Sequence, residues 1–206
     1  MKVSVSILKE KNNYKEAIDK INNTSADYIH LDIMDGTFTK SSSFELSKFK
    51  NISNKKYDIH LMSTNLDQLI NESIKLNPEY ITFHIESTKD IIKYINLIKE
   101  NNIKVGLAIN PKTKLYKLKK YINLIDMVLV MSVTPGEGGQ LFKVSTIKKL
   151  RKLREKYKDI TISVDGGINK ETCALVSNYV DIVVSGSYIT DSDDYDSKIN
   201  ELRVNH

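Results

Sequence analysis

The chain has 206 residues, is 40% hydrophobic and 28% charged, and carries 8 Gly and 3 Pro. This suits one globular domain and excludes collagen-like, low-complexity and disulfide-scaffold classes. Its single cysteine, Cys173, has no internal partner, so nothing points to an oxidising compartment. The net charge is +5, yet only Arg151, Arg154 and Arg203 of the 31 basic residues are Arg; no basic stripe with interleaved aromatics argues for nucleic acid, and a weak positive field suits a phosphorylated metabolite.

Short apolar, β-branched runs alternate with amphipathic segments along the chain. The predicted strands are Val3–Leu8, Tyr28–Met34, Tyr57–Met62, Tyr80–His84, Lys104–Ile109, Met127–Met131, Thr161–Val164 and Ile182–Ser185. Helices are expected over Tyr14–Asn22, Leu66–Leu76, Ile91–Ile98, Val144–Leu153, Lys170–Asn178 and Ser197–Val204. Lys112–Lys120 reads as the solvated face of another helix. The connection Gly36–Asn54 is the least regular, with at most a short helix near Glu45–Phe49. Eight strand-helix units of about 26 residues fit a (β/α)8 TIM barrel, an α/β fold, as a single domain over residues 1–206. An open doubly wound sheet is the alternative, but it wants a glycine-rich turn after the first strand, and Leu8-Lys9-Glu10-Lys11-Asn12 has no glycine. No apolar run approaches the ~18 residues of a membrane span. Met1–Asn13 lacks the long apolar region and cleavage site of a signal peptide, so the expected compartment is the cytoplasm, with no membrane partner.

In such a barrel the chemistry sits at the C-terminal ends of the strands. Those ends read His30-Leu31-Asp32, Asp58-Ile59-His60, Phe83-His84-Ile85-Glu86 and Val164-Asp165-Gly166-Gly167, and the remaining histidine, His206, is the last residue. His30 and Asp32 stand two apart and share one face of a strand. With His60 and Asp165 they make two imidazoles and two carboxylates, a sensible set for a divalent Zn, Fe, Co or Mn ion. The competing reading is that each is a hydrogen-bonded barrel residue. Pro135-Gly136-Glu137-Gly138-Gly139-Gln140, Gly166-Gly167 and Gly186-Ser187 are glycine loops late in the chain. They favour backbone N–H capture of a phosphate over ordinary turns.

The stretches HLDIMDG (His30 to Gly36), HLM (His60 to Met62), ITFHIE (Ile81 to Glu86), GLAINP (Gly106 to Pro111), MVLVMSVTPGEGGQLF (Met127 to Phe142) and VDGGIN (Val164 to Asn169), with Val5 to Leu8 and Gly186-Ser187, run in family order. Together they make the chain resemble the ribulose-phosphate 3-epimerase family. The resemblance implies a (β/α)8 barrel that interconverts D-ribulose and D-xylulose 5-phosphates in the pentose phosphate pathway. It implies one divalent metal on His30, Asp32, His60 and Asp165, with Asp32 and Asp165 as the two acid/base groups. Ser6 and His60 would touch the sugar. Gly136, Glu137, Gly138, Gly139, Gly166, Gly167, Gly186 and Ser187 would line the substrate and phosphate path. Met34, Met62 and Met131 match methionines near the reacting carbons, although barrel filler explains them equally well. A homo-oligomer, dimer or hexamer, is also implied.

The chain departs from the family pattern at Val5, Lys9 to Asn12, Thr37 to Ser41 and Glu137, where Pro, an S-x-D-F type stretch, a bulky polar residue followed by Phe-Val-Pro-Asn, and Phe are usual. None of these removes a proposed ligand or acid/base group. Glu137 is expected to face solvent, because a carboxylate ~6 Å from a phosphate dianion would cost roughly 3 kcal/mol per unit charge pair at an effective dielectric near 20. Two alternatives stand beside the pentulose reading: an allulose-6-phosphate 3-epimerase and a non-catalytic sugar-phosphate-binding barrel.

Overall fold

The computed structural model describes residues 1–203; Val204, the expected end of the last helix, and His206 lie outside them. Eight parallel strands close in sequential order: β1 (Lys2–Ser6), β2 (Tyr28–Met34), β3 (Lys56–Met62), β4 (Tyr80–His84), β5 (Lys104–Ile109), β6 (Met127–Met131), β7 (Thr161–Asp165) and β8 (Ile182–Ser185), with β8 pairing back onto β1. This is the expected TIM barrel. Among the described residues no helix is long and apolar enough to cross a membrane.

The strands read as apolar runs because both faces are covered. Alternation sends Val3 and Val5, Ile29 and Leu31, and Ile59 and Leu61 outward to one large core under the helices. Burying each such side chain is worth about 1.5–3 kcal/mol. The intervening residues point inward. Tyr28, Tyr80, Met127 and Ile182 plug the lower end of the barrel. Higher up, Ser4, His30, Asp58, Thr82 and Ser163 are buried polar residues on the inward-facing positions.

The helices are α1 (Tyr14–Asn22), α2 (Leu66–Ile74), α3 (Ile91–Glu100), α4 (Ser145–Lys156), α5 (Lys170–Val176), α6 (Ser187–Thr190) and α7 (Tyr195–Arg203). In α3, Ile91, Tyr94, Ile95 and Ile98 repeat at helical spacing and form its buried face. Asn77 and Asn102, at φ 48° and 58°, provide left-handed turns just beyond α2 and α3, and Pro78 forbids a return to helix after the first. That is why α2 stops short of the expected Leu76.

Two connections carry no α-helix. Between β2 and β3 only Leu46–Phe49 forms a 3-10 turn, close to the expected short helix. Between β5 and β6 the helix expected over Lys112–Lys120 is replaced by 3-10 turns at Leu115–Leu118 and Ile122–Leu124. No acidic residue between Pro111 and Ile125 offsets the like-charge pairs Lys114/Lys117 and Lys117/Lys120, which lie close on a helix surface. Burial of Leu118 and Ile122 anchors the turns instead. The first strand also ends earlier than expected, at Ser6, because Leu8–Glu10 turns into a 3-10 segment. The four-residue α6 has no counterpart among the expected helices.

Candidate active site

The register of neighbouring strands sets which inward side chains meet. β2 and β3 pair with Asp32 beside His60, and β3 and β4 with His60 beside Thr82. His60 Nδ1 lies 3.2 Å from Asp32 Oδ1 and 3.9 Å from Asp165 Oδ2, and His30 Nε2 lies 3.5 Å from Asp32 Oδ1. One ligand atom from each of His30, Asp32, His60 and Asp165 can be chosen so that all lie within 4.8 Å of one another. β2 and β7 are not adjacent, so the two carboxylates reach the cluster from different sides of the barrel.

A divalent cation fits this set on two grounds. His30 Nε2 is buried without a hydrogen-bond partner, beside the Asp32 carboxylate. An orphaned ring nitrogen in that position is costly unless something accepts its lone pair or a proton. Its other nitrogen, Nδ1, is held at 2.8 Å by Asp58, which also accepts from Ser4 Oγ at 2.9 Å. A carboxylate behind the second ring nitrogen is the usual support for a metal-bound imidazole. Burial works against charge on His30, yet Asp58 and Asp32 outweigh it and hold its pKa well above the ordinary imidazole value. The cluster therefore attracts positive charge.

The two carboxylates differ in proton affinity. Burial pushes Asp32 up, but the charge and hydrogen bonds of His30 and His60 prevail and keep it well below the usual carboxylate range. Ser6 Oγ donates to its other oxygen at 2.7 Å. Asp165 is pushed up to about 7 by burial and then by the charge on Asp32.

Above the cluster opens a cavity of about 570 Å³. Ser6, Asp32, Met62, Met131 and Asp165 line it, with Gly136, Glu137, Gly138, Gly139, Gly166, Gly167, Gly186 and Ser187. His30, His60 and Met34 are buried and do not line it. Gly167 has φ +65°, and a Cβ there would sit 2.4 Å from the Phe142 backbone nitrogen, so only glycine lets these two loops touch. Glu137 is exposed and makes no salt bridge among the described residues, although it stands at the rim. Gln140 Nε2 braces that loop by donating to the carbonyls of Thr134 and Glu137 at 2.7 and 2.9 Å.

Sequence reasoning missed three contributors. Asp58 is two residues before His60, and this inward spacing could have revealed it. His84 lies at the end of β4 with its Nε2 2.9 Å from His60 Nε2. Among the described residues Lys9 is the one Lys or Arg lining the cavity, and it pairs with Asp191 at 2.8 Å. That pair spans 182 residues of sequence, so no local signal announces it.

A family model described as "Ribulose-phosphate 3 epimerase family" matches residues 2–190. A ribulose-phosphate 3-epimerase of Buchnera aphidicola subsp. Baizongia pistaciae is 39% identical over 91% of this chain and 87% of its own length. One from Methanocaldococcus jannaschii is 36% identical over 98% and 90%. Among solved structures, 3-hexulose-6-phosphate synthase from Salmonella typhimurium superposes with TM-score 0.73, covering 100% of both chains at 16% identity, a likeness of fold alone.

Proposed function

The chain is an enzyme that belongs to the ribulose-phosphate 3-epimerase family, and from that premise we propose that it inverts C3 of a ketopentose 5-phosphate, interconverting D-ribulose and D-xylulose 5-phosphates as a step of the pentose phosphate pathway. The observation that carries the reading is the meeting of two carboxylates from non-adjacent strands at one cavity, the buried Asp32 held low and the partly exposed Asp165 raised to about 7. Two groups whose environments push their pKa values apart are the signature of an acid and a base.

The C3 proton is acidic only because the adjacent C2 carbonyl takes up the electron pair, giving an enediolate. Asp32, ionised at neutral pH, accepts the C3 proton from one face. Asp165, approaching from another strand, returns a proton to the opposite face, and the roles exchange in the reverse direction. The Ser6 hydroxyl keeps Asp32 oriented through its 2.7 Å hydrogen bond. His30, Asp32, His60 and Asp165 would hold one divalent ion (Zn, Fe, Co and Mn all suit the donors), which when bound stabilises negative charge developing on the substrate oxygens. The glycine loops Gly136–Gly139, Gly166-Gly167 and Gly186-Ser187 receive the phosphate through backbone N–H groups. Met62 and Met131 exclude water from the reacting carbons.

The test is turnover of D-ribulose 5-phosphate in D2O, followed with an enzyme specific for xylulose 5-phosphate. Product carrying solvent deuterium at C3 is expected. Absence of turnover overturns the activity, and complete retention of the substrate's own hydrogen overturns the two-carboxylate route.

A further inference from the structure

His60 is fully buried with both ring nitrogens engaged: Nδ1 faces Asp32, and Nε2 meets His84 Nε2 at 2.9 Å. His84 is also fully buried, and its Nδ1 lies 3.2 Å from Glu86 Oε2. Glu86 Oε1 accepts the Asn110 backbone N–H at 3.0 Å and the Thr113 hydroxyl. The loop bearing those donors is pinned by Lys149, whose Nζ donates to the carbonyls of Asn110, Pro111 and Thr113 at 3.1, 2.7 and 2.8 Å. Phe38 covers the His84 ring, centroid to centroid at 4.7 Å. The two imidazoles of the relay are buried, and its far end, the partly exposed Glu86, is held by a backbone N–H.

The proton positions follow from counting donors. A neutral imidazole has one N–H and one lone pair, and an N···N hydrogen bond needs one of each. Glu86 already accepts two donors, so it is an acceptor toward His84 as well, and the His84 proton sits on Nδ1. His84 Nε2 then bears the lone pair, and the His60 proton must sit on Nε2. That leaves the lone pair of His60 Nδ1 turned into the acidic cluster. Asp32 Oδ1 competes for a proton on that same Nδ1, at 3.2 Å against the 2.9 Å of the His60–His84 contact, while Ser6 holds only its Oδ2. We infer that His84 and Glu86 are positioning residues that lock His60 in its Nε2–H tautomer, so that Nδ1 is a ready-made cation ligand before any cation arrives. The partner of one ring nitrogen decides what the other can bind. This rests on the proposed reading of His60 as a metal ligand, but the tautomer itself can be tested without metal.

The experiment uses the full chain labelled with 15N in its histidines. In metal-free wild type, the His60 proton is expected on Nε2, with a scalar coupling across the hydrogen bond to His84 Nε2. In His84→Leu the proton is expected to move to Nδ1, toward Asp32. Zinc alone, titrated against a chromophoric chelator, should bind His84→Leu about 10- to 100-fold more weakly than wild type. His84→Gln, whose side-chain oxygen can accept from His60 Nε2, should stay within a few-fold of wild type. A proton on His60 Nδ1 in the wild type, or zinc binding by His84→Leu as tight as wild type, overturns the inference. Failure of wild type to bind zinc overturns the metal reading, while the tautomer result still decides the relay.

Discussion

On the β2–β3–β4 side of the barrel mouth, the chemistry is carried by side chains rooted in strands. His30, His60 and His84 are fully buried there, and ring nitrogens of all three are tied to Asp58, Asp32 or Glu86. On the β6–β7–β8 side, the cavity is lined by backbone in glycine loops. Glu137, Gly138 and Gly139 are exposed, and neighbouring Leu141 is 90% exposed. The contrast separates two kinds of vulnerability. The first side depends on which atom a side chain ends in, and the second on whether the backbone can come close. The departure that the resemblance implies at Glu137 fits this division, since it concerns an exposed side chain and leaves Gly136, Gly138 and Gly139 in place.

The largest test of the contrast is on the strand side. Asp32→Asn and Asp165→Asn change one atom each and should each lower turnover on the order of 10²-fold or more. A coupled epimerase assay showing less than a tenfold loss would remove these carboxylates from the chemistry.

The next effect belongs to the loop side. Gly167→Ala meets the Phe142 backbone at 2.4 Å and strains a left-handed position, whereas Gly139→Ala, at φ +74°, meets nothing within 4 Å. Gly167→Ala should raise KM for the phosphorylated substrate at least tenfold and cost a few kcal/mol in thermal unfolding. Gly139→Ala should cost only about 1 kcal/mol of backbone strain. Equal effects from the two variants would show that contact between the loops does not matter.

Acid titration sharpens the strand side further. Burial pushes His84 down to about 4, so the folded protein keeps it neutral while the unfolded chain protonates it near 6.5. Between those values His84 binds more protons in the unfolded state, so its own contribution to stability falls as pH drops through that window, while Asp165, raised to about 7, takes up a proton on folding and opposes it. Glu86 is subject to burial, which raises its pKa, but its bonds to His84 and Thr113 hold it down at about 2 against an ordinary 4.5. Its stabilising contribution is present above pH 4.5 and is lost as pH falls toward 2. The difference in melting temperature between metal-free wild type and His84→Gln isolates the imidazole, and it should shift against the wild type as pH falls from 6.5 to 4. A wild-type-minus-variant difference that is flat from pH 6.5 to 4 would contradict the buried neutral imidazole.

The smallest effect is expected at the rim. Glu137→Phe should change KM less than tenfold, and the change should shrink at high salt because exposed charges are screened. A larger drop in KM would mean that the carboxylate turns toward the phosphate. Lys9→Met, which removes a half-exposed pair with Asp191, should cost no more than about 1 kcal/mol of stability.

Local pattern was enough to locate β2, β4, β5, β6 and β8 to the residue, because a strand buried on both faces must be an uninterrupted apolar run bounded by polar or turn residues. It was also enough to select His30, Asp32, His60 and Asp165, since inward positions recur every second residue and polar groups at strand ends stand out against that background. It failed at Lys112–Lys120, where apolar spacing of three and four suits both an α-helix and a chain of 3-10 turns. It passed over Asp58, His84 and Lys9 for a different reason. Asp58 and His84 stand at inward strand positions, but the role of each of the three comes only through His30, His60 or Asp191 on another element. Which residues face one another across a closed barrel is set by the register of all eight strands at once. That is a long-range property, so the amino-acid sequence alone determined which faces carry the chemistry, and only closure of the barrel decided which groups on those faces touch.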